Sequence, residues 1–242
     1  MNIITIFEKV ESFYNEAASL IAKGILRKPD AVVGLSTGRT TKLIHRRLSE
    51  IISSLALDTT RVTFFGVDEV VGVPKTYSGA CYTMLRTELL DSLGVPDNRF
   101  LMLPTSKDAY PGACRRFTEA IGRLGGIDIL MLGLGENGHL GFNQPGTPFG
   151  STAWLSKMDP ELDARIHRET GIPSDQQLGG ATLGLKDIMR ARKIILVANG
   201  KRKADIVKRM LHGPVTPDVP ASILQLHPNC EYLLDAEAAK EL

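Results

Sequence analysis

The side chains best suited to acid–base chemistry lie between Leu132 and Gly146, in Leu-Gly-Leu-Gly-Glu-Asn-Gly-His-Leu-Gly-Phe-Asn-Gln-Pro-Gly. His139 lies there with Asn137 and Gln144, and the five glycines and one proline exclude a helix. The preceding apolar segment, residues 126–131, has the pattern of a buried strand. Loops that follow strands carry the functional groups of many α/β proteins. We therefore predict an active-site loop with His139 as its acid–base group, because imidazole titrates near neutrality.

Residues 133–138 of this loop also match the pattern G-x-G-x-x-G, which is typical of dinucleotide sites. That site needs a helix to begin inside the motif, so that the helix N-terminus meets the pyrophosphate. Gly141, Pro145 and Pro148 are incompatible with such a helix. The sequence therefore predicts no nucleotide, and we expect neither a cofactor nor a metal.

Two other segments could bind a phosphate group. Residues 37–41, Thr-Gly-Arg-Thr-Thr, join a predicted strand to a predicted helix, so their N–H groups and hydroxyls could face an anion. An ordinary helix cap made by Thr40 or Thr41 is the alternative. Residues 201–203, Lys-Arg-Lys, open another predicted helix, where each exposed cation opposes the helix dipole by about 0.3–1 kcal/mol. A bound phosphate would remove that conflict, although a solvated basic end would explain it too.

Asp68 and Glu69 follow a predicted buried strand at residues 62–67. A carboxylate at this point could act as a general base, and a turn or capping acid is the alternative. The other histidines give weaker signals. Three of them fall on or beside predicted helices, where a surface role is commoner: His45, His167 and His212. The fourth, His227, could be a packed structural histidine.

The predicted strands and helices alternate along the chain. Strands are expected at residues 31–35, 62–67, 100–103, 126–131, 193–198 and 231–234. Helices are expected from Phe7 through Ile21, after residue 41, at 78–91, at 110–124 and after residue 200, with a loop or lid at 145–160. This order predicts an α/β fold, with an open, mostly parallel Rossmann-like sheet and helices on both faces. No change in composition divides the chain, so we expect one domain over residues 1–242.

The composition limits the partners and the compartment. The formal charge is +2, with 43% hydrophobic and 23% charged residues, so no strong field would favour nucleic acid or an anionic membrane. Three scattered cysteines without a CxxC pair favour a reducing compartment. No signal peptide or long apolar run is evident. We expect a cytoplasmic protein that acts on a small molecule; a homo-oligomer is possible.

Taken together, the motifs resemble those of the glucosamine-6-phosphate deaminase/galactosamine-6-phosphate isomerase family, which shares its fold with the 6-phosphogluconolactonases. The resemblance covers nearly the whole chain, and residues 182–188 together with Asn-Gly-His look closer to the galactosamine-phosphate branch. The matching segments, in chain order, are Ser-Thr-Gly (36–38), Val-Asp-Glu (67–69) with Gly72 and Pro74, the loop at 133–139 with Phe142-Asn143, Thr-Leu-Gly (182–184), and Ser-Ile-Leu-Gln-Leu-His-Pro (222–228).

The resemblance implies a role for each matching position. Asp68 would move a proton between C2 and C1 of the opened sugar, and His139 would assist ring opening, oriented by Asn137 and Gln144. The substrate-binding residues would be Gly133 and Gly135 at the sugar and, at its 6-phosphate, Thr37, Gly38, Arg39, Thr40 and Lys203, with Arg168 favoured and Arg165 possible as the last member. The product would be a ketohexose 6-phosphate with release of ammonium.

Two departures keep other functions open. Many glucosamine deaminases have Asp and Glu where this chain has Asn137 and Gln144, so the imidazolium form of His139 should be less favoured here. A 6-phosphogluconolactonase is one alternative, although that family usually continues its histidine loop with Ser-Leu-Phe-Pro, and this chain has Gly-Phe-Asn-Gln-Pro. A sugar-phosphate sensor without catalysis is the other, although the 30 residues before the first predicted strand leave no room for a helix-turn-helix, and the charge does not suit DNA.

Overall fold

The computed structural model describes residues 3–110 and 112–242. Its main feature is a seven-stranded sheet in the order β1-β10-β9-β6-β2-β3-β5, in which every pairing is parallel. The predicted mostly parallel sheet is confirmed. The strands are β1 (Ile3–Phe7), β2 (Val32–Leu35), β3 (Thr63–Gly66), β5 (Phe100–Leu101), β6 (Ile129–Gly133), β9 (Lys193–Ala198) and β10 (Cys230–Asp235).

Helices cover both faces of this sheet, because alternate residues of each strand point to opposite sides. In β6, for example, Leu130 and Leu132 belong to one buried cluster, whereas Ile129 and Met131 belong to the other. The helices are α1 (Val10–Arg27), α2 (Arg39–Ser54), α3 (Cys81–Leu85), α4 (Ala113–Arg123), α5 (Pro160–Thr170), α6 (Leu185–Ile188) and α7 (Ala204–His212).

A second, antiparallel sheet was not predicted. Its order is β4-β8-β7, formed by β4 (Asp68–Val71), β7 (Trp154–Lys157) and β8 (Gly179–Thr182). The prediction of only a loop or lid at 145–160 is therefore wrong for residues 154–157. The strands are four residues long and β8 contains two glycines; a Cβ at Gly180 would lie 2.4 Å from the Phe142 ring. Such strands depend on distant partners rather than on local pattern.

Two predicted helices need correction. Phe7 does not belong to the opening helix but ends β1, whose pairing with β10 joins segments more than 200 residues apart. The predicted helix at 78–91 consists of α3 followed by a π-helical turn, Arg86–Leu90. The predicted helix at 110–124 is α4; Pro111 lies outside the described residues. Within the described residues, none of the helices combines the length and apolarity that a membrane crossing requires.

The histidines outside the glycine-rich loop differ in how far they are buried. His45 is fully buried, and its Nδ1 lies 2.8 Å from Glu88 Oε2 in the π-helical turn, so the expected surface role is wrong. A carboxylate partner from the neighbouring helix makes this burial possible. His227 is packed as predicted, with Nε2 2.8 Å from the Ala191 carbonyl oxygen. His212 is exposed and His167 is half-buried.

Candidate active site

The site forms where three neighbouring strands, β9, β6 and β2, end at the same edge of the main sheet. Because the strands are parallel, their following loops converge there. A cavity of about 1410 Å³ lies between these loops and the first turns of α5. It is lined by every residue predicted for catalysis or binding, namely Thr37, Gly38, Arg39, Thr40, Asp68, Gly133, Gly135, Asn137, His139, Gln144, Arg168 and Lys203, and also by Arg165.

The helix α5 was not predicted, although the resemblance assigned Arg168 or Arg165, which both lie on it, to the phosphate site. Asp159, which caps α5 by accepting the N–H groups of Glu161 and Leu162 at 3.1 Å, lies in its wall together with both of those residues. The capping sequence Asp159-Pro160 is a recognisable helix start, and could have revealed the helix. Nothing in it indicates which face of the protein the helix covers.

Asp68 supplies a carboxylate to the cavity from the first position of β4. Its Oδ1 is buried without a hydrogen-bond partner among the described residues. Its Oδ2 lies beside Gly141, where an added Cβ would be 3.3 Å away. Burial raises the pKa of Asp68 to about 7, against a smaller lowering effect of the Cys81 thiol. This carboxylate can therefore bind or release a proton near neutral pH.

Glu69, the adjacent residue, has a structural role. Successive residues of a strand point to opposite faces, and Glu69 turns away from the cavity into a fully buried position. Its Oε1 accepts the N–H groups of Val70 at 2.8 Å and Cys81 at 2.7 Å, and its Oε2 accepts that of Tyr82 at 2.8 Å. Burial raises its pKa to about 7 despite these bonds. Asp68 is thus the member of the pair that is open to a substrate.

The ring of His139 is held by two amide side chains. Asn137 Oδ1 accepts the His139 backbone N–H at 3.1 Å and lies 2.7 Å from Nδ1. Asn137 Nδ2 donates to Gln144 Oε1 at 3.0 Å, which fixes the orientation of the amide. Because Asn137 Oδ1 can only accept, Nδ1 must carry the proton, so Nε2 of the neutral ring is left as a proton acceptor.

The surroundings of His139 favour this neutral form. Burial lowers its pKa from the ordinary value, and the nearby Lys203 ammonium lowers it further. The ring also lies directly against the backbone of the loop, because a Cβ at Gly135 would be 2.3 Å from Nδ1. A side chain at position 135 would displace the imidazole, which explains the glycine there.

The loop before α2 has the properties of an anion site. Gly38 precedes the helix with φ of 142°, α2 has no acidic residue in its first turn, and no side chain caps it. Its first N–H groups therefore face the cavity without an internal acceptor. The hydroxyls of the same loop make internal bonds: Thr37 Oγ1 donates to Cys81 Sγ at 3.3 Å, and Thr40 Oγ1 to Asn199 Oδ1 at 2.5 Å.

Four cations of the cavity have no carboxylate partner within the described part of the chain: Arg39, Arg168, Lys201 and Lys203. Arg165, in contrast, lies 3.7 Å from Glu169, which also accepts a hydrogen bond from Tyr77. Burial lowers the pKa of Lys203, as expected for an ammonium group held in a cavity without a counter-ion. An anionic ligand would supply the missing negative charge.

Comparison with known proteins identifies the family of this chain. Residues 8–232 match the family described as glucosamine-6-phosphate isomerases/6-phosphogluconolactonase. The chain belongs to this family. The predicted resemblance is therefore confirmed, and the fold is the one seen in the family's solved structures.

Individual relatives match this chain over nearly its whole length. A protein named glucosamine-6-phosphate deaminase from Bacillus pumilus is 34% identical over 98% of both chains, and one of the same name from Alkaliphilus oremlandii is 33% identical over 99% of this chain and 100% of its own. The solved structure of a monomeric glucosamine-6-phosphate deaminase gives a TM-score of 0.92 at 29% identity and covers 99% of this chain and 100% of that one. The 6-phosphogluconolactonase of Trypanosoma brucei, at 22% identity and a TM-score of 0.75 over 100% and 99% of the two chains, shows the shared fold.

The contact between Asn137 and His139 can be tested by changing the charge at position 137. Asn137→Asp would place a carboxylate against Nδ1 of His139, where the oxygen of Asn137 now lies at 2.7 Å. Because an opposite charge favours the imidazolium, we expect the pKa of His139 to rise by about one unit or more. Titration of the ring by NMR measures this shift directly.

Gln144→Glu is the matched control, because its new charge is separated from the ring by the Asn137 amide. We expect it to raise the pKa of His139 less than Asn137→Asp does. Equal titration of His139 in the wild type and in Asn137→Asp would show that the bond between Asn137 and the ring does not form in solution.

Proposed function

We propose that this family member is an aldose–ketose isomerase/deaminase that acts on a 2-amino-2-deoxyhexose 6-phosphate and gives a ketohexose 6-phosphate and ammonium. The observation that carries the proposal is the Asp68 carboxylate, which has a buried oxygen without a partner in the same cavity as an amide-held imidazole. The names of the relatives support the same reaction class.

The first step would open the sugar ring. Nε2 of neutral His139 would take the proton of the C1 hydroxyl, and the resulting imidazolium would give a proton to the ring oxygen as the C1–O bond breaks. The hydrogen bond from Nδ1 to Asn137 would hold the ring in the required orientation. A low pKa suits the first half of this step, because the histidine must begin as a base.

The second step would move a proton along the open chain. Asp68 would remove the proton from C2 and return it to C1, while O1 gains a proton and the amino nitrogen loses one, which converts the amino aldose into a ketose imine at C2. Water would then hydrolyse the imine and release ammonium. A carboxylate with a pKa of about 7 suits this two-way transfer, because neither its charged nor its neutral form is strongly favoured near neutral pH.

The 6-phosphate would be held where the cavity meets the first turn of α2. We assign it to the N–H groups and hydroxyls of residues 37–40 at the start of α2, with Arg39, Lys203 and Arg168 as counter-charges. Arg168 is favoured over Arg165 because Arg165 already has an acidic neighbour, Glu169, at 3.7 Å, whereas Arg168 has no carboxylate partner among the described residues. Gly133 and Gly135 would line the sugar, because the absence of side chains at these positions leaves room for it.

An assay with three substrates tests the proposal and separates it from its alternatives. The protein is incubated with galactosamine 6-phosphate, glucosamine 6-phosphate and 6-phosphogluconolactone, and ammonium and acid release are followed. We expect ammonium from at least one amino sugar, and the ratio of the two rates would identify the preferred epimer. Acid release from the lactone alone would establish a lactonase. Binding of the amino sugars without turnover would establish a sensor.

We further propose that the reaction takes place in the cytoplasm. The three cysteines are far apart in the chain and form no CxxC pair, which suits a reducing compartment. Fractionation of cells that produce the protein, with detection by antibody, tests this. Recovery of the protein outside the cytoplasm would contradict it.

A further inference from the structure

A hydrogen bond between two side chains joins the segments assigned to the phosphate. Residues 37–40 follow β2 and residues 201–203 follow β9, and β6 lies between these two strands in the sheet. The strands are therefore about 10 Å apart. Thr40 Oγ1 donates to Asn199 Oδ1 at 2.5 Å, and both residues line the cavity. This bond connects the start of α2 with the end of β9 across the end of β6.

Asn199 is held in place by other parts of the fold. It directly follows β9, and its Nδ2 donates to the hydroxyl of Tyr14 on α1 at 3.3 Å. The N–H of the next residue, Gly200, donates to both carboxylate oxygens of Asp235, at 2.9 and 3.0 Å. The N–H of Lys203 donates to the Gly200 carbonyl oxygen at 2.9 Å. The turn that carries Lys203 is thus fixed to α1 and β10, and Asn199 extends this support to α2.

The two joined segments carry like charges. Arg39 precedes Thr40, and Lys203 belongs to the turn after Asn199. Burial lowers the pKa of Lys203, and the positive charges of Arg202 and Arg39 lower it further against an opposing effect of Glu136. Without an anion, this repulsion tends to separate the segments. The neutral bond between Thr40 and Asn199 opposes the separation, so the site can be formed before the anion binds.

We propose that Asn199 is a positioning residue for the phosphate site, which acts through Thr40 to hold the start of α2 beside the turn that carries Lys203. This inference rests on the proposed function, in which both segments bind the 6-phosphate of the substrate. It adds a residue that was not predicted for the site, and it explains how cations from two separated strands are kept together.

The test is a double-mutant cycle on the binding of inorganic phosphate to the full-length protein, measured by calorimetry. Asn199→Ala is expected to raise Kd about fivefold, because one hydrogen bond that organises the site is lost. Thr40→Val removes the same bond from its other side. In the Thr40→Val background, Asn199→Ala should therefore raise Kd less than about twofold. Effects that multiply, or an unchanged Kd in Asn199→Ala, would overturn the inference.

Tyr14→Phe is the matched control. It removes the other side-chain partner of the Asn199 amide and leaves the Thr40 hydroxyl in place. We expect Kd for phosphate to stay within about twofold of the wild-type value. A rise as large as that of Asn199→Ala would show that the amide acts through α1 and not through Thr40.

Turnover supplies a second readout that a purely structural role would not give. With the amino sugar phosphate, Asn199→Ala is expected to raise KM about fivefold and to leave kcat within about twofold of the wild type. With the free amino sugar, kcat/KM should equal that of the wild type, because the phosphate is absent. An equal loss of kcat/KM with both substrates would contradict a role at the phosphate.

The two proposals can fail separately. If the wild type releases no ammonium, the proposed function fails, and the phosphate cycle alone decides the role of Asn199. If the wild type is active but the two substitutions act independently, the function stands and the role of Asn199 is wrong. A wild type that does not bind inorganic phosphate overturns the inference, whatever its activity. Where Asn199→Ala does not fold, Asn199→Ser, whose side chain is shorter, replaces it in the cycle.

Discussion

Asp68→Asn is expected to lower kcat for ammonium release about 10³-fold, because the amide cannot accept the proton from C2 and general-base catalysis contributes roughly 10²- to 10⁴-fold. The substitution keeps the shape of the side chain, and residue 68 is not part of the assigned phosphate site. Substrate binding, measured by calorimetry, should therefore change much less than kcat. A loss of binding that matches the loss of kcat would contradict the assignment of Asp68 as the base.

The Asp68→Asn variant is expected to be at least as stable as the wild type at pH 8. Because the pKa of Asp68 is raised by folding, the folded state gains a proton more readily than the unfolded chain, and ionisation of Asp68 costs stability as the pH rises from about 4 to about 7. An uncharged amide removes that cost. Thermal unfolding of Asp68→Asn at pH 8 should thus give a melting temperature at or above the wild-type value.

Asp205→Asn is the matched control for this experiment. Asp205 is an exposed carboxylate on α7 whose partner is Arg209 at 3.7 Å, outside the cavity. Exposed ion pairs of this kind contribute little, so neither activity nor stability should change appreciably.

The acid limb of the wild-type kcat/KM profile should lie near pH 7, where Asp68 loses its proton, and activity should rise with pH through that limb.

Six of the seven strands of the main sheet could be predicted from the sequence because they are largely buried and continuous in hydrophobicity. The strand β1, which is mostly exposed, was missed. The residues predicted for the site lie together for a topological reason: parallel strands end at one edge, so polar loops after separate strands meet there. Asp68, His139 and residues 37–40 are far apart in the chain, yet all line one cavity. The alternation of strands and helices was sufficient to bring them together.

The small antiparallel sheet could not be predicted in this way. Without β4, the residue pattern alone does not show that Asp68 and Glu69 point to opposite faces of a strand. Once β4 is recognised as a strand, alternation separates the two side chains, and only one can face the cavity. The start of α3 depends on the same strand, because the backbone N–H of Cys81 donates to Glu69 Oε1. These relations arise from packing between segments that carry no local signal.

The second large effect is expected on KM when Arg168, the arginine assigned to the phosphate site in preference to Arg165, is replaced. Arg168→Ala is expected to raise KM for the amino sugar phosphate about tenfold or more, because a hydrogen-bonded charge on the phosphate is lost, while kcat changes less. Arg165→Ala should have a small effect, since the guanidinium of Arg165 lies 3.7 Å from Glu169. The i, i+4 spacing of Arg165 and Glu169 predicts this pairing from the sequence alone.

A substrate without the phosphate makes the comparison specific. With the free amino sugar, turnover is expected to be slow in all three proteins, and Arg168→Ala should then equal the wild type, because the partner of the guanidinium is absent. Inorganic phosphate should inhibit the wild type and Arg165→Ala competitively, and Arg168→Ala more weakly. If Arg165→Ala instead shows the larger increase in KM, the ion pair with Glu169 must open when substrate binds, and Arg165 is the residue that completes the phosphate site.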